Sequence, residues 1–107
     1  MMLSALAPRT LCALVLALVA GTARAEVIQV KIEKIAFAPT EVAAHVGDTI
    51  EWVNADIVAH TATARNKDWD VMIAPNATKR VVVKAAGTVE YYCKFHPNMI
   101  GHITVAP

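Results

Sequence analysis

The chain has 107 residues, 56% hydrophobic and 18% charged, with ten basic residues against nine acidic. A balance this even, with no basic stripe, gives nucleic acid and anionic membrane surfaces no electrostatic handle. The length allows one small domain, near the lower size at which a single core suffices.

The first residues read as an address and not as part of a fold. Arg9, the apolar run Leu11 to Ala20, and Ala23-Arg24-Ala25 supply the positive, apolar and Ala-x-Ala parts of an export signal. The run is about half of the roughly 20 residues that a membrane-spanning helix needs. Cleavage after Ala25 is therefore expected, leaving one domain over residues 26–107. Cys12 precedes the apolar run instead of following it, so no lipid anchor is expected. Loss of Arg9 and Arg24 leaves eight basic residues against nine acidic, a balance of −1. Loss of Cys12 leaves Cys93 as the one cysteine of the domain. An unpaired thiol in an oxidising compartment needs burial or a ligand.

Downstream, short β-branched or alternating runs recur between turn signals, the pattern of an antiparallel β-sandwich. Ile28, Val30 and Ile32 alternate with Gln29, Lys31 and Glu33, and the phase slips at Lys34-Ile35 as a bulge would make it. Pro39 interrupts, and Glu41 to Val46 reads as a strand. After the Gly47-Asp48 turn, Thr49 to Asn54 puts Ile50 and Trp52 on one face, Glu51 and Val53 on the other. Ala55 to Ala59 reads as a loop and His60 to Ala64 as a strand. Arg65 to Ala77 reads as a long loop or one helical turn, with Trp69, Met72 and Ile73 tucked against the sheet. Lys79 to Lys84 and Thr88 to Cys93 are strands about the Ala86-Gly87 turn, placing Tyr91 inward and Tyr92 outward. Met99 to Val105 closes the domain, Ile103 and Val105 inward. The expected architecture is all-β: seven or eight strands in two sheets joined as Greek keys.

One constellation carries chemistry. Cys93, His96 and Met99 stand three residues apart, and His60 opens a distant strand. Two imidazoles with a thiolate and a thioether suit copper in both oxidation states. Zinc sites favour several cysteines and use thioether poorly, and a binuclear copper site would need a second cysteine. His45 and His102 read as surface histidines, and Met72 as core packing.

The chain resembles the cupredoxins, and among them the amicyanin group. The resemblance rests on Val46-Gly47-Asp48-Thr49-Ile50-Glu51-Trp52-Val53-Asn54, His60, Ala86-Gly87-Thr88-Val89-Glu90-Tyr91-Tyr92-Cys93, His96-Pro97, Met99 and Gly101. It implies a periplasmic blue-copper electron carrier, with one copper ion held by His60, Cys93 and His96 and weakly by Met99. It also implies that Asn54 ties the two ligand-bearing loops together. The implied partners are redox proteins, an amine dehydrogenase as donor and a c-type cytochrome as acceptor, meeting a monomer that has no membrane anchor. The electron port is expected at His96, ringed by Pro97, Ile100 and Phe95, with a second port at Tyr92.

Against the group, the mature chain starting at Glu26 is expected to lack an N-terminal extension, Phe95 stands where amicyanin has proline, and Asn98 where it has an aromatic residue. Unlike proline, Phe95 has a backbone N–H to direct at the Cys93 sulfur. A fully ligated site leaves no position for a substrate, so no enzyme activity is expected. The alternative on the same fold is a periplasmic copper-binding chaperone or storage protein.

Overall fold

The computed structural model describes residues 24–107, so the leader expected over residues 1–25 lies almost wholly outside it. Among the described residues, alternation in the sequence becomes nine strands: β1 (Val27–Glu33), β2 (Ala36–Ala38), β3 (Glu41–His45), β4 (Thr49–Asn54), β5 (His60–Ala64), β6 (Asp70–Ile73), β7 (Thr78–Val82), β8 (Gly87–Cys93) and β9 (His96–Ala106). One sheet runs β2-β1-β4-β7 and the other β3-β9-β8-β5-β6. β1 lies parallel to β4 and β3 parallel to β9, while the remaining neighbours are antiparallel. The expected two-sheet Greek-key sandwich is the observed fold, with nine strands instead of seven or eight, because the short β2 and β6 pair as strands of their own. Two parallel pairings stand in place of an all-antiparallel pattern.

Three local expectations are corrected. Lys34 and Ile35 do not form a bulge: both take left-handed backbone (φ 54° and 57°) and turn β1 back into β2. Two consecutive positive φ values match the twist of a tight hairpin, whereas a bulge keeps the strand running. Within the stretch read as loop or helical turn, β6 pairs with β5 in register His60↔Ile73. Four residues are too few for alternation to announce a strand. Met72 accordingly points outward and is 53% exposed, while Ile73 is buried.

Val30 and Ile32, Ile50 and Trp52, Ile73, Tyr91 and Cys93, and Ile103 are fully buried between the sheets. Each buried aliphatic side chain contributes about 1.5–3 kcal/mol. Tyr91 sits at the centre of an aromatic cluster, its ring centroid 4.5 Å from Phe37, 5.5 Å from Trp52 and 5.4 Å from Trp69. This packing fixes β8, and with it Cys93 two residues further on.

The outer face of the five-stranded sheet is ionic. His102 on β9 reaches Glu41 on β3 through Nδ1 (2.9 Å) and Glu90 on β8 through Nε2 (3.0 Å). Two carboxylates require both ring nitrogens to donate, which only the imidazolium can do. Glu90 and then Glu41 raise the His102 pKa above its ordinary 6.5, against partial burial. A raised value in the folded state means added stability that is complete below the ordinary value and lost as pH rises through the raised one. Wild-type melting temperature should therefore fall on going from mildly acidic to alkaline pH by more than that of His102→Gln. Parallel pH profiles for the two proteins would contradict this.

Candidate metal centre

His60 opens β5, Cys93 closes β8 and His96 opens β9. Strand order makes β5 and β8 neighbours, and the turn Lys94-Phe95 sets Cys93 opposite His96. Residues 33 and 36 positions apart in sequence thus meet at one rim of the sandwich. The Cys93 Sγ lies 3.6 Å from His60 Nδ1 and 3.7 Å from His96 Nδ1. All three atoms lie within 4.8 Å of one another. A point equidistant from such corners is about 2.1–2.4 Å from each, the range of metal bonds to imidazole and thiolate. The residues fit a metal ion, and one thiolate with two imidazoles is a copper donor set.

Neighbours fix His60 and Cys93. His60 is fully buried, and its Nε2 pairs with Asp56 Oδ2 at 2.8 Å. Asp56 also accepts the Ile35 N–H (3.0 Å) and the Lys34 N–H (2.8 Å), presented by the left-handed turn. These amides, Ile35 foremost, together with His60 hold the Asp56 carboxyl below its ordinary 3.8 despite partial burial. The carboxylate keeps the ring hydrogen on Nε2, which leaves the Nδ1 lone pair aimed at the centre.

The backbone N–H on the Cys93 sulfur is that of Thr61, at 3.3 Å. The Phe95 side chain is 52% exposed at the rim. Sequence reasoning points to Phe95 for this bond, whereas it is β5 that lays the Thr61 N–H beside the sulfur.

Asn54 is also placed differently from the expectation. Its Nδ2 donates to Val58, Ile73 and Ala74 carbonyls, and its Oδ1 accepts the Asp56 N–H. It braces the loop before His60 against the end of β6 and does not reach the Cys93–His96 turn. The bond between the two ligand-bearing segments comes from Thr61, whose Oγ1 accepts the Lys94 N–H at 2.9 Å.

Met99 is buried on β9, three residues beyond His96, and lines one rim hollow with Ile35, Phe95, His96, Pro97 and Asn98. His96 and Ile100 are half-buried and Pro97 is exposed. Tyr92 faces outward, with the Arg65 guanidinium 4.4 Å above its ring. His45 is exposed and His102 lies on the outer sheet, both apart from the centre. Sequence reasoning missed Asp56, Thr61 and Ile35. The one available signal was an acid four residues before the distant histidine.

A two-sheet sandwich, without helices among the described residues and carrying one thiolate and two imidazoles at its rim, defines a mononuclear blue-copper domain. Residues 6–105 match the model of the cupredoxin-like domain, and the chain belongs to that family. It is 33% identical to amicyanin-alpha of Methylorubrum extorquens over 83 residues, covering 72% of this chain and 70% of that one. Amicyanin from Paracoccus versutus is 26% identical over 87 residues, 76% of this chain and 66% of its own length. The crystal structure of that amicyanin superposes with TM-score 0.66 at 29% identity, covering 78% and 82% of the two chains. A purple cupredoxin from Nitrosopumilus maritimus shares the fold, with TM-score 0.68 at 24% identity over 74% of this chain and 99% of that one. The class of function is electron carriage at one copper ion.

Proposed function

We propose that the chain is a periplasmic one-electron carrier of the amicyanin kind, exported by a leader cleaved after Ala25 and working as residues 26–107. The observation that carries this reading is the convergence of His60 and His96 Nδ1 on the Cys93 sulfur, at 3.6 and 3.7 Å. His60, Cys93 and His96 are the strong ligands and Met99 the weak fourth. The bound ion supplies electron storage by alternating between Cu(I) and Cu(II).

The protein's part is to keep those side chains still. Asp56 locks the His60 ring, Thr61 holds the sulfur, and Tyr91 packing anchors the strand that carries it. Little then has to move when the charge changes. No bond in a substrate is made or broken.

His96, half-buried at the rim among Ile35, Phe95 and Pro97, is the electron port. A small apolar surface of this sort suits brief docking by redox proteins. An amine dehydrogenase as donor and a c-type cytochrome as acceptor are the partners that likeness to amicyanins favours.

Cu(II) added to the purified, exported protein should give an intense blue colour from thiolate-to-copper charge transfer. Cys93→Ser should abolish it, with at least a tenfold loss of visible absorption. A colourless or weakly coloured wild-type complex would instead favour copper storage or delivery on the same fold.

A further inference from the structure

The β5–β8 ladder stops short of the metal centre. Its Cα partners are Thr63↔Tyr92 and Ala64↔Tyr91, and on its other side β8 slips register against β9 between Tyr92 and Cys93. Past that point, two backbone N–H groups that a longer ladder would give to carbonyls go to side chains. The Thr61 N–H meets the Cys93 sulfur at 3.3 Å, and the Lys94 N–H meets Thr61 Oγ1 at 2.9 Å.

That rung continues outward. Thr61 Oγ1 and Thr63 Oγ1 are 2.9 Å apart, and Thr63 Oγ1 donates to Asp70 Oδ1 at 2.9 Å. The other Asp70 oxygen pairs with Lys94 Nζ at the surface. An ionised carboxylate only accepts, so Thr63 spends its single hydrogen on Asp70. Thr61 must then donate to Thr63, which leaves its lone pairs facing the Lys94 N–H. The direction of the whole chain is set from Asp70 inward. Both hydroxyls are shielded, with Thr61 2% and Thr63 7% exposed, so water is a poor replacement for either link.

We propose that Thr63 and Asp70 are positioning residues for the copper centre, fixing through their oriented hydrogen bonds the Thr61–Lys94 rung that holds an N–H on the Cys93 sulfur. Neither residue touches the three donor atoms. The proposal rests on Cys93 being a copper ligand, yet the rung belongs to the protein alone and is measurable without metal. When the chain is cut, the Thr61 hydroxyl is no longer compelled to accept from Lys94, and the N–H on the sulfur loosens. With the rung loosened, the segment over the fully buried Cys93 sulfur opens more readily to a small reagent, and with copper bound the loss of that N–H favours Cu(II).

The test uses full-length exported protein carrying Thr63→Val, Thr63→Ser or Asp70→Ala. In reduced, metal-free samples, iodoacetamide should alkylate Cys93 at least fivefold faster in Thr63→Val and Asp70→Ala, while Thr63→Ser stays within twofold of wild type. In copper-loaded samples, the same two variants should move the thiolate-to-copper absorption band. They should also shift the redox equilibrium with a small mediator at least threefold towards Cu(II). Alkylation rates within twofold of wild type in both variants would overturn the proposal, as would faster alkylation with an unmoved band. If Thr63→Val does not fold, the surface variant Asp70→Ala decides. A wild-type protein that never turns blue would sink the copper reading and leave the alkylation comparison standing.

Discussion

Gly101→Ala is expected to destabilise the domain by about 3 kcal/mol, the upper end of what overpacking a core costs. A Cβ at residue 101 would lie 2.5 Å from Tyr91 Cζ and 2.6 Å from both Cε1 and Oη. Real contacts of this kind do not occur, so something must shift. Tyr91 has no exposed surface to move into and is held between Phe37, Trp52 and Trp69. Relief must come from separating β8 from β9, the two strands that carry Cys93 and His96. Thermal unfolding followed by circular dichroism should show a melting temperature lower by roughly 15 °C, and copper binding should weaken in the same variant. Gly47 makes the contrast, because nothing lies within 4 Å of the place a methyl group would take and only its φ of 96° resists substitution. Gly47→Ala should cost about 1 kcal/mol. Equal losses in the two variants would refute the steric account.

Asp56→Ala should lower copper affinity by about 10–100-fold, the usual effect of removing the partner that orients a metal-binding histidine. The carboxylate makes three bonds at once, to His60 Nε2 and to the amides of Lys34 and Ile35. Its loss frees the His60 ring to rotate and releases a turn in which Ile35, a β-branched residue, holds a left-handed conformation. Metal-free stability should fall by about 2 kcal/mol as well. Competition with a chelator of known strength measures the first effect and urea denaturation the second. An affinity within threefold of wild type would show that His60 is oriented by packing alone. Asp56→Asn should fall between, since the amide keeps an acceptor for one side and presents hydrogens to the other.

Where one face of a strand is apolar and the other wet, the sequence is easily read. β1 shows this, with Val30 and Ile32 buried and Gln29, Lys31 and Glu33 exposed, as do the inward positions of Tyr91, Ile103 and Val105. Thr49–Asn54 and His60–Ala64 keep their expected bounds although His60–Ala64 is buried on both faces. The cluster of His60, Cys93 and His96 is legible too, because Cys93 and His96 share one short segment and His60 starts a strand. What is not legible is set by tertiary contact. The Lys34-Ile35 turn depends on a carboxylate 21 and 22 residues away. β6 gains its strand from pairing with β5 and not from its own four residues. Asn54 shows why family resemblance is a weaker guide than contact: the residue type matches, but its amide serves the carbonyls of Val58, Ile73 and Ala74. The loop-bridging duty falls to Thr61, a residue whose sequence context offers no hint of it.

The strand order has a colloidal consequence. β2 and β7 border one sheet, β3 and β6 the other, and none of the four exceeds five residues. β7 brings Lys79 and Arg80 to its margin, β6 brings Asp70 and β3 brings Glu41. Short charged borders are poor templates for a foreign strand, since zippering onto them buries charge for only a few backbone bonds. The borders of both sheets thus raise a barrier against fibril growth by edge-to-edge addition of strands.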